Sequence, residues 1–281
     1  YMGDDERGEF LYKFVSKGKF IEGSPNNYDL LTEGELFVAV FSDNGSGKWV
    51  NLNESGMDNA EISVFTRLAG SKVGATTMDR PEWVAVNPHK VEAYCALTNN
   101  KYRGNKKSQP VNAVNPRQGN KYGQIVRWTP EGKDHASAKF NWDLFVVAGN
   151  PTVHSDSNAG SKNITSKNMF NSPDGIAFDS MGNLWIQTDG NYSNKDDFSG
   201  MGNNQMLLGN PETGEIKRFL VGPKECEVTG ITWSSDKRTM FVGIQHPGEK
   251  NPEKCPFPNG GNSVPRSSII AISRNDGGLI G

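Results

Sequence analysis

One pattern occurs three times along the chain and restricts its fold more than any other feature. The first copy runs Arg80-Pro81-Glu82-Trp83-Val84-Ala85-Val86-Asn87-Pro88, then Ala93-Tyr94-Cys95-Ala96-Leu97-Thr98-Asn99-Asn100. The second runs Ser172-Pro173-Asp174-Gly175-Ile176-Ala177-Phe178-Asp179, then Asn183-Leu184-Trp185-Ile186-Gln187-Thr188-Asp189. The third runs Glu225-Cys226-Glu227-Val228-Thr229-Gly230-Ile231-Thr232-Trp233, then Thr239-Met240-Phe241-Val242-Gly243-Ile244-Gln245-His246. Each copy has a carboxylate, a short strand, a polar turn (Asn87 to Lys90, Asp179 to Gly182, Ser234 to Lys237) and a second strand centred on an aromatic residue. Further hairpins lie between the copies: 123–128 with 142–147, and 205–208 with 216–220. Two hairpins make a four-stranded sheet that cannot bury its faces alone. Repeating such sheets about an axis solves that problem, so the pattern predicts an all-β chain forming blades of a β-propeller.

Composition agrees once the turn formers are counted. A mean hydropathy of −0.62 looks too polar for a packed core. The chain, however, has 32 Gly, 29 Asn and 15 Pro, residues that serve tight turns rather than strands. Aromatic residues make up 10%, too many for a disordered chain. Residues 58–73 are the one segment with helical period. Asp58 and Glu61 form a potential capping box, Ile62, Phe65, Leu68 and Ala69 fall on one face, and Gly70 or Gly74 could end the helix. Residues 101–121 read as an exposed loop, and 150–172 and 190–205 as long Ser/Asn/Gly-rich loops of the kind that often carry function.

Several function classes are excluded. A net charge of −2 gives no field for nucleic acid or an anionic membrane. There is no apolar run of about 18 residues to span a bilayer and no basic-then-apolar leader. Cys95, Cys226 and Cys255 cannot build a disulfide framework, and buried, idle thiols are expected. No GxSxG, P-loop or HExxH pattern occurs, so serine-nucleophile, nucleotide and zinc-protease chemistries have no support. The chain opens in mid-pattern at Tyr1 and stops at Gly281 just after a strand-like run. The expectation is therefore one propeller domain over 1–281, a fragment lacking its N-terminal blades, from a propeller of about six blades.

The repeat also fixes where chemistry can happen. If Glu82, Asp174 and Glu227 start the innermost strands, all three converge at one mouth of the channel. Carboxylates that close repel one another and raise each other's pKa; a bound cation removes that penalty, and oxygen ligands suit a hard ion such as Ca2+. Any one of them could instead cap a turn or pair with Lys or Arg, but capping does not demand the same phase in three repeats. Arg80 stands two residues before Glu82, and positions i and i+2 of a strand share a face. Its guanidinium could grip a phosphate or carboxylate with a fork of N–H donors, or simply pair with Glu82. Asn99, Asn100, Asp189 and His246 end the second strands, where the pleat could send them to the opposite mouth, so they are not counted as ligands.

Taken together these stretches resemble the PhoX family of alkaline phosphatases. The resemblance rests on Tyr1-Met2-Gly3-Asp4-Asp5-Glu6-Arg7 leading into Leu11-Tyr12-Lys13-Phe14, on Gly74-Ala75-Thr76-Thr77-Met78-Asp79-Arg80-Pro81-Glu82, and on Ala96-Leu97-Thr98-Asn99-Asn100. It continues through Cys226-Glu227-Val228-Thr229-Gly230 and Gln245-His246-Pro247-Gly248. Only Pro173-Asp174-Gly175 with Gly182-Asn183-Leu184-Trp185 is shared with calcium-dependent lactonase propellers. The resemblance implies a monomeric phosphomonoesterase with iron (Fe3+) and calcium (Ca2+) at the channel mouth, exported to the periplasm or beyond. Arg80 would hold the phosphate, Glu82 would ligate iron or calcium, and Asp174 and Glu227 would ligate calcium. It also implies an iron-ligating Cys and a further Glu upstream of Tyr1. The competing readings are a calcium-dependent lactonase-type propeller and a propeller that serves only as a binding scaffold.

Overall fold

The structure is a computed structural model describing residues 1–281. Its fifteen strands fall into four antiparallel sets. The first is β1 (Met2–Gly3), β2 (Leu11–Ser16), β3 (Gly34–Phe41) and β4 (Ser46–Asn51). The second is β5 (Pro81–Val86), β6 (Ala93–Leu97), β7 (Gln124–Pro130) and β8 (Lys139–Val147). The third is β9 (Pro173–Phe178), β10 (Leu184–Thr188), β11 (Gln205–Gly209) and β12 (Ile216–Val221). The fourth is β13 (Glu227–Trp233), β14 (Thr239–Gln245) and β15 (Ser268–Ser273). Within each set, sequence neighbours pair in order, as propeller blades do. The first two blades are also joined along their outer edges, where Gly47 of β4 faces Phe140 of β8.

Burial follows from this stacking. β6 and β10 are buried at every position, because each is a second strand with a neighbouring blade on both faces. The outer strand β12 instead alternates, with Ile216 buried and Lys217 exposed. Most of the core lies between blades, and a further cluster, including Tyr12, Val38, Ile62 and Ala69, packs blade one against the helical segment. Leu11, Trp49, Trp128 and Phe140 fill the space between blades one and two; Tyr94, Phe145, Ile176 and Ile186 join blades two and three; Trp185, Met206, Val228 and Met240 join blades three and four. The polar turns form as expected: Asn87 Oδ1 accepts from His89 N (2.9 Å), and Asp179 Oδ1 from Met181 N (3.0 Å).

Two expectations need correction. The helix over 58–73 is two helices, α1 (Asn59–Val64) and α2 (Thr66–Lys72). Its capping box is present: Glu61 N donates to Asp58 Oδ1 (2.8 Å) and Asp58 N to Glu61 Oε2 (3.0 Å). The break falls at Phe65 (φ −117°, ψ 44°), within a β-branched and aromatic run of low helix propensity. Beside it Thr66 Oγ1 donates back to Ile62 O (2.8 Å), a contact that bends helices. The break shifts the phase, so Ile62 and Ala69 are buried while Phe65 and Leu68 stand exposed. Gly70 lies inside α2, and Gly74 follows it at φ 75°.

The segment 101–121 is a loop, exposed at about half of its residues, but it also sends side chains inward. Arg103, Asn115, Arg117 and Asn120 are buried, and carbonyls and carboxylates from other segments accept their hydrogen bonds in the interior. Arg117, for example, donates to Ala148 O and Gly123 O, both at 2.5 Å. All three cysteines are buried free thiols.

Candidate functional site

Each of the inner strands β5, β9 and β13 is entered through a residue in the left-handed region. Arg80 has φ 58°, Ser172 φ 53° and Glu225 φ 58°. Non-glycine residues adopt this conformation rarely, at a cost of about 1–3 kcal/mol each. Here it recurs two residues before Glu82, Asp174 and Glu227, so the same strained entry delivers a carboxylate in each of three blades.

Arg80 therefore precedes β5 rather than lying on it, and the i, i+2 rule of a strand does not apply. The side chain still reaches Glu82, with Nη2 3.7 Å from Oε2, because the left-handed turn folds it back over the strand. Its principal partner is Asp5, which neither spacing nor repeat singles out. Asp5 accepts from Arg80 Nε (2.8 Å) and Nη2 (2.9 Å) in a two-pronged fork. Gly3 makes that meeting possible: a Cβ there would lie 2.2 Å from Pro81 O, so only glycine lets β1 settle against β5.

The repeat carboxylates do converge. Glu82 accepts from Thr98 Oγ1 (3.0 Å), and the Glu82 and Asp174 carboxyls are within hydrogen-bonding reach of each other. Asp174 is buried. Burial first, then Glu82, Glu227 and Asp189, push its carboxyl up to about 9. Burial is likewise the largest cause raising Glu82, Glu227 and Asp189 above the usual carboxylate range; the Asp189 charge adds to it at Glu227. Glu227 Oε2 accepts from Gln245 Nε2 (3.1 Å) and lies 3.5 Å from His246 Nε2.

Asp189 and His246 thus face the same mouth as Glu227, not the opposite one. The reason is antiparallel pairing: the second strand of a hairpin ends beside the start of the first, as the Pro173↔Thr188 and Glu227↔Gln245 pairs show. Asn99 is there too, accepting from Arg7 Nη2 and donating to Ser172 Oγ, both at 3.3 Å. Asn100 turns away into the interior, where it donates to Gln109 Oε1 (2.9 Å). The sequence signal that could have found Asp189 and His246 was this strand register.

The mouth therefore gathers Asp5, Arg80, Glu82, Asp174, Asp189, Glu227 and His246. No three of the His, Cys, Asp and Glu side chains stand in an arrangement that would enclose a metal ion. The donor set nevertheless fits hard cations in its chemistry. Its five carboxylates are oxygen donors, they crowd and disfavour one another's charge, and a cation would reverse that interaction.

The sequence profile described as alkaline phosphatase PhoX matches residues 1–248. Among solved structures, that of Pseudomonas fluorescens PhoX in complex with vanadate, a transition state analogue, is 54% identical. It superposes with a TM-score of 0.95 over 100% of this chain and 51% of that one. The chain thus spans about half the length of that protein. A luciferin-regenerating enzyme aligns at 10% identity with a TM-score of 0.40, over 86% of this chain and 58% of that one, a likeness too slight to carry an argument. Curated proteins offer no match.

Proposed function

The chain belongs to the PhoX family of alkaline phosphatases, and from that premise we propose that its channel mouth takes part in the hydrolysis of phosphate monoesters. The observation that carries the proposal is Arg80 standing beside Glu82 and Asp174, with Glu227 near Asp174, in a chain 54% identical to a protein captured with vanadate, a transition state analogue.

Arg80 is the phosphate holder in this reading. Asp5 takes Nε and Nη2, which fixes the plane of the guanidinium and leaves Nη1 for an oxygen of the ester. The charge that develops on the equatorial oxygens is met by a donor already in place, which is where such a contact counts most. Glu82, Asp174 and Glu227 would hold Ca2+ and Fe3+, whose chemistry when bound is to neutralise the phosphoryl oxygens and polarise phosphorus. Thr98 orients Glu82, and Gln245 and His246 orient Glu227. The iron-binding Cys and Glu of the family would come from outside residues 1–281, as would the remaining blades of a single propeller domain. No helix is long and apolar enough to cross a membrane. We place the whole enzyme outside the cytoplasm, acting as a monomer. Neither the lactonase-type reading nor the scaffold reading has an observation of its own, whereas an arginine poised beside the carboxylates suits an anionic substrate.

The test is hydrolysis of p-nitrophenyl phosphate by the protein extended to the length of its Pseudomonas relative. Release of p-nitrophenol, with vanadate inhibiting competitively, is the expected result. No release, or inhibition that does not compete with substrate, contradicts the proposal.

A further inference from the structure

Arg80 keeps a costly backbone conformation, and the residues just before it are held with unusual completeness. Met78, Asp79 and Arg103 are all fully buried. Arg103 Nε donates to Asp79 Oδ1 (2.7 Å), Nη2 to Thr77 O (2.7 Å), and Nη1 to Thr77 Oγ1 (3.0 Å) and Pro110 O (2.9 Å). The second Asp79 oxygen accepts from Asn120 Nδ2 (2.9 Å) and Gln124 Nε2 (3.4 Å).

The same knot holds the other half of the Arg80 fork. Asp79 bridges to Arg7, Gly8 N donates to Met78 O (2.9 Å), and Met78 N to Glu9 O (2.9 Å). Asp5, the partner of Arg80, sits at the head of that segment. On the far side of Arg80, its carbonyl accepts from Thr98 N (3.1 Å). Both members of the fork are thus tied to one buried ion pair, and neither touches Arg103.

Stability alone does not account for the pair. A buried Arg–carboxylate pair is often no more stabilising than well-packed apolar residues of the same volume, because desolvating two charges offsets their attraction. What apolar side chains cannot do is hold the segment before β5 in one position through directional bonds to Asp79, Thr77 and Pro110.

We propose that Arg103, through Asp79, is a positioning residue for Arg80: it holds the left-handed turn and the Asp5 segment so that the guanidinium meets the phosphoryl group in one orientation. The proposal rests on the phosphatase reading above.

The test uses the extended protein and the variants Arg103→Lys, Thr77→Val and Arg80→Ala, with the two double variants. Arg103→Lys keeps the charge and loses the fork; Thr77→Val removes one acceptor of Arg103 with little change of volume, so the test stands if the lysine variant does not fold. Arg103→Lys is expected to lower kcat/KM for p-nitrophenyl phosphate at least tenfold and to weaken vanadate inhibition by a similar factor, with metal content unchanged. Thr77→Val is expected to show the same signature, about threefold. Residues acting through one group are not additive, so in the Arg80→Ala background each substitution should change kcat/KM less than twofold. Wild-type vanadate inhibition in the foldable variants, or an equal loss with and without Arg80, would mean that the pair serves the fold only and would overturn the proposal. An extended wild-type protein that releases no phosphate would instead overturn the phosphatase reading, and this inference with it.

Discussion

Arg80→Ala in the extended protein lowers kcat/KM for p-nitrophenyl phosphate by about 10²–10³-fold, the loss typical of removing one preorganised donor from a charge-stabilising site. Two effects add. The phosphoryl oxygens lose the guanidinium, and Asp5 is left without its fork, so one more negative charge faces an anionic substrate. Vanadate inhibition weakens in parallel, because vanadate probes the same contact. Arg80→Lys retains a charge but cannot hold Asp5 with two parallel bonds, so it falls between wild type and alanine. Steady-state kinetics with vanadate as inhibitor check this. A loss of kcat/KM with unaltered vanadate affinity would remove Arg80 from the phosphate contact.

The second large effect concerns Asp174→Asn. Asp174 is buried among carboxylates that push it toward its protonated form, and asparagine has nearly the same shape without the charge. Without metal the substitution should cost little, so the chelated variant should melt within about 2 °C of chelated wild type, roughly the shift expected for ~0.5 kcal/mol. Calcium is a different matter. At 100 times its dissociation constant a ligand stabilises by about 2.7 kcal/mol, which in a protein of this size raises Tm by roughly 5–10 °C. That calcium-dependent rise should appear in wild type and be lost in Asp174→Asn, along with phosphate release. Thermal melts with calcium and with EGTA read both numbers. An undiminished calcium shift in the variant would exclude Asp174 as a ligand.

The blades were legible because their signal is local: each hairpin carries its strand period, its turn residues and its carboxylate within a short stretch. The convergence of Glu82, Asp174 and Glu227 followed from their common phase, without knowledge of any contact. What escaped is what depends on distant partners. Asp5 meets Arg80 across 75 residues of sequence, and nothing near either residue announces it. Arg103 and Arg117 read as surface residues because their composition is that of a loop; it is partners supplied by other segments, such as Thr77 O and Ala148 O, that make them interior. The position of Asp189 and His246 turned on strand register, which a one-residue slip reverses. The helix break at Phe65 reflects a competition between propensity and period, in which the period suggested one helix and the β-branched run produced two.

We propose this carboxylate-lined mouth, with Arg80 beside it, as part of a metal-dependent phosphomonoesterase. The most direct test is iron and calcium determination on the extended protein, paired with p-nitrophenyl phosphate hydrolysis before and after EGTA. Iron and calcium together, with hydrolysis lost on chelation and restored by calcium, is the predicted result. Hydrolysis that survives complete removal of calcium, or a protein that binds calcium alone and releases no phosphate, would contradict it.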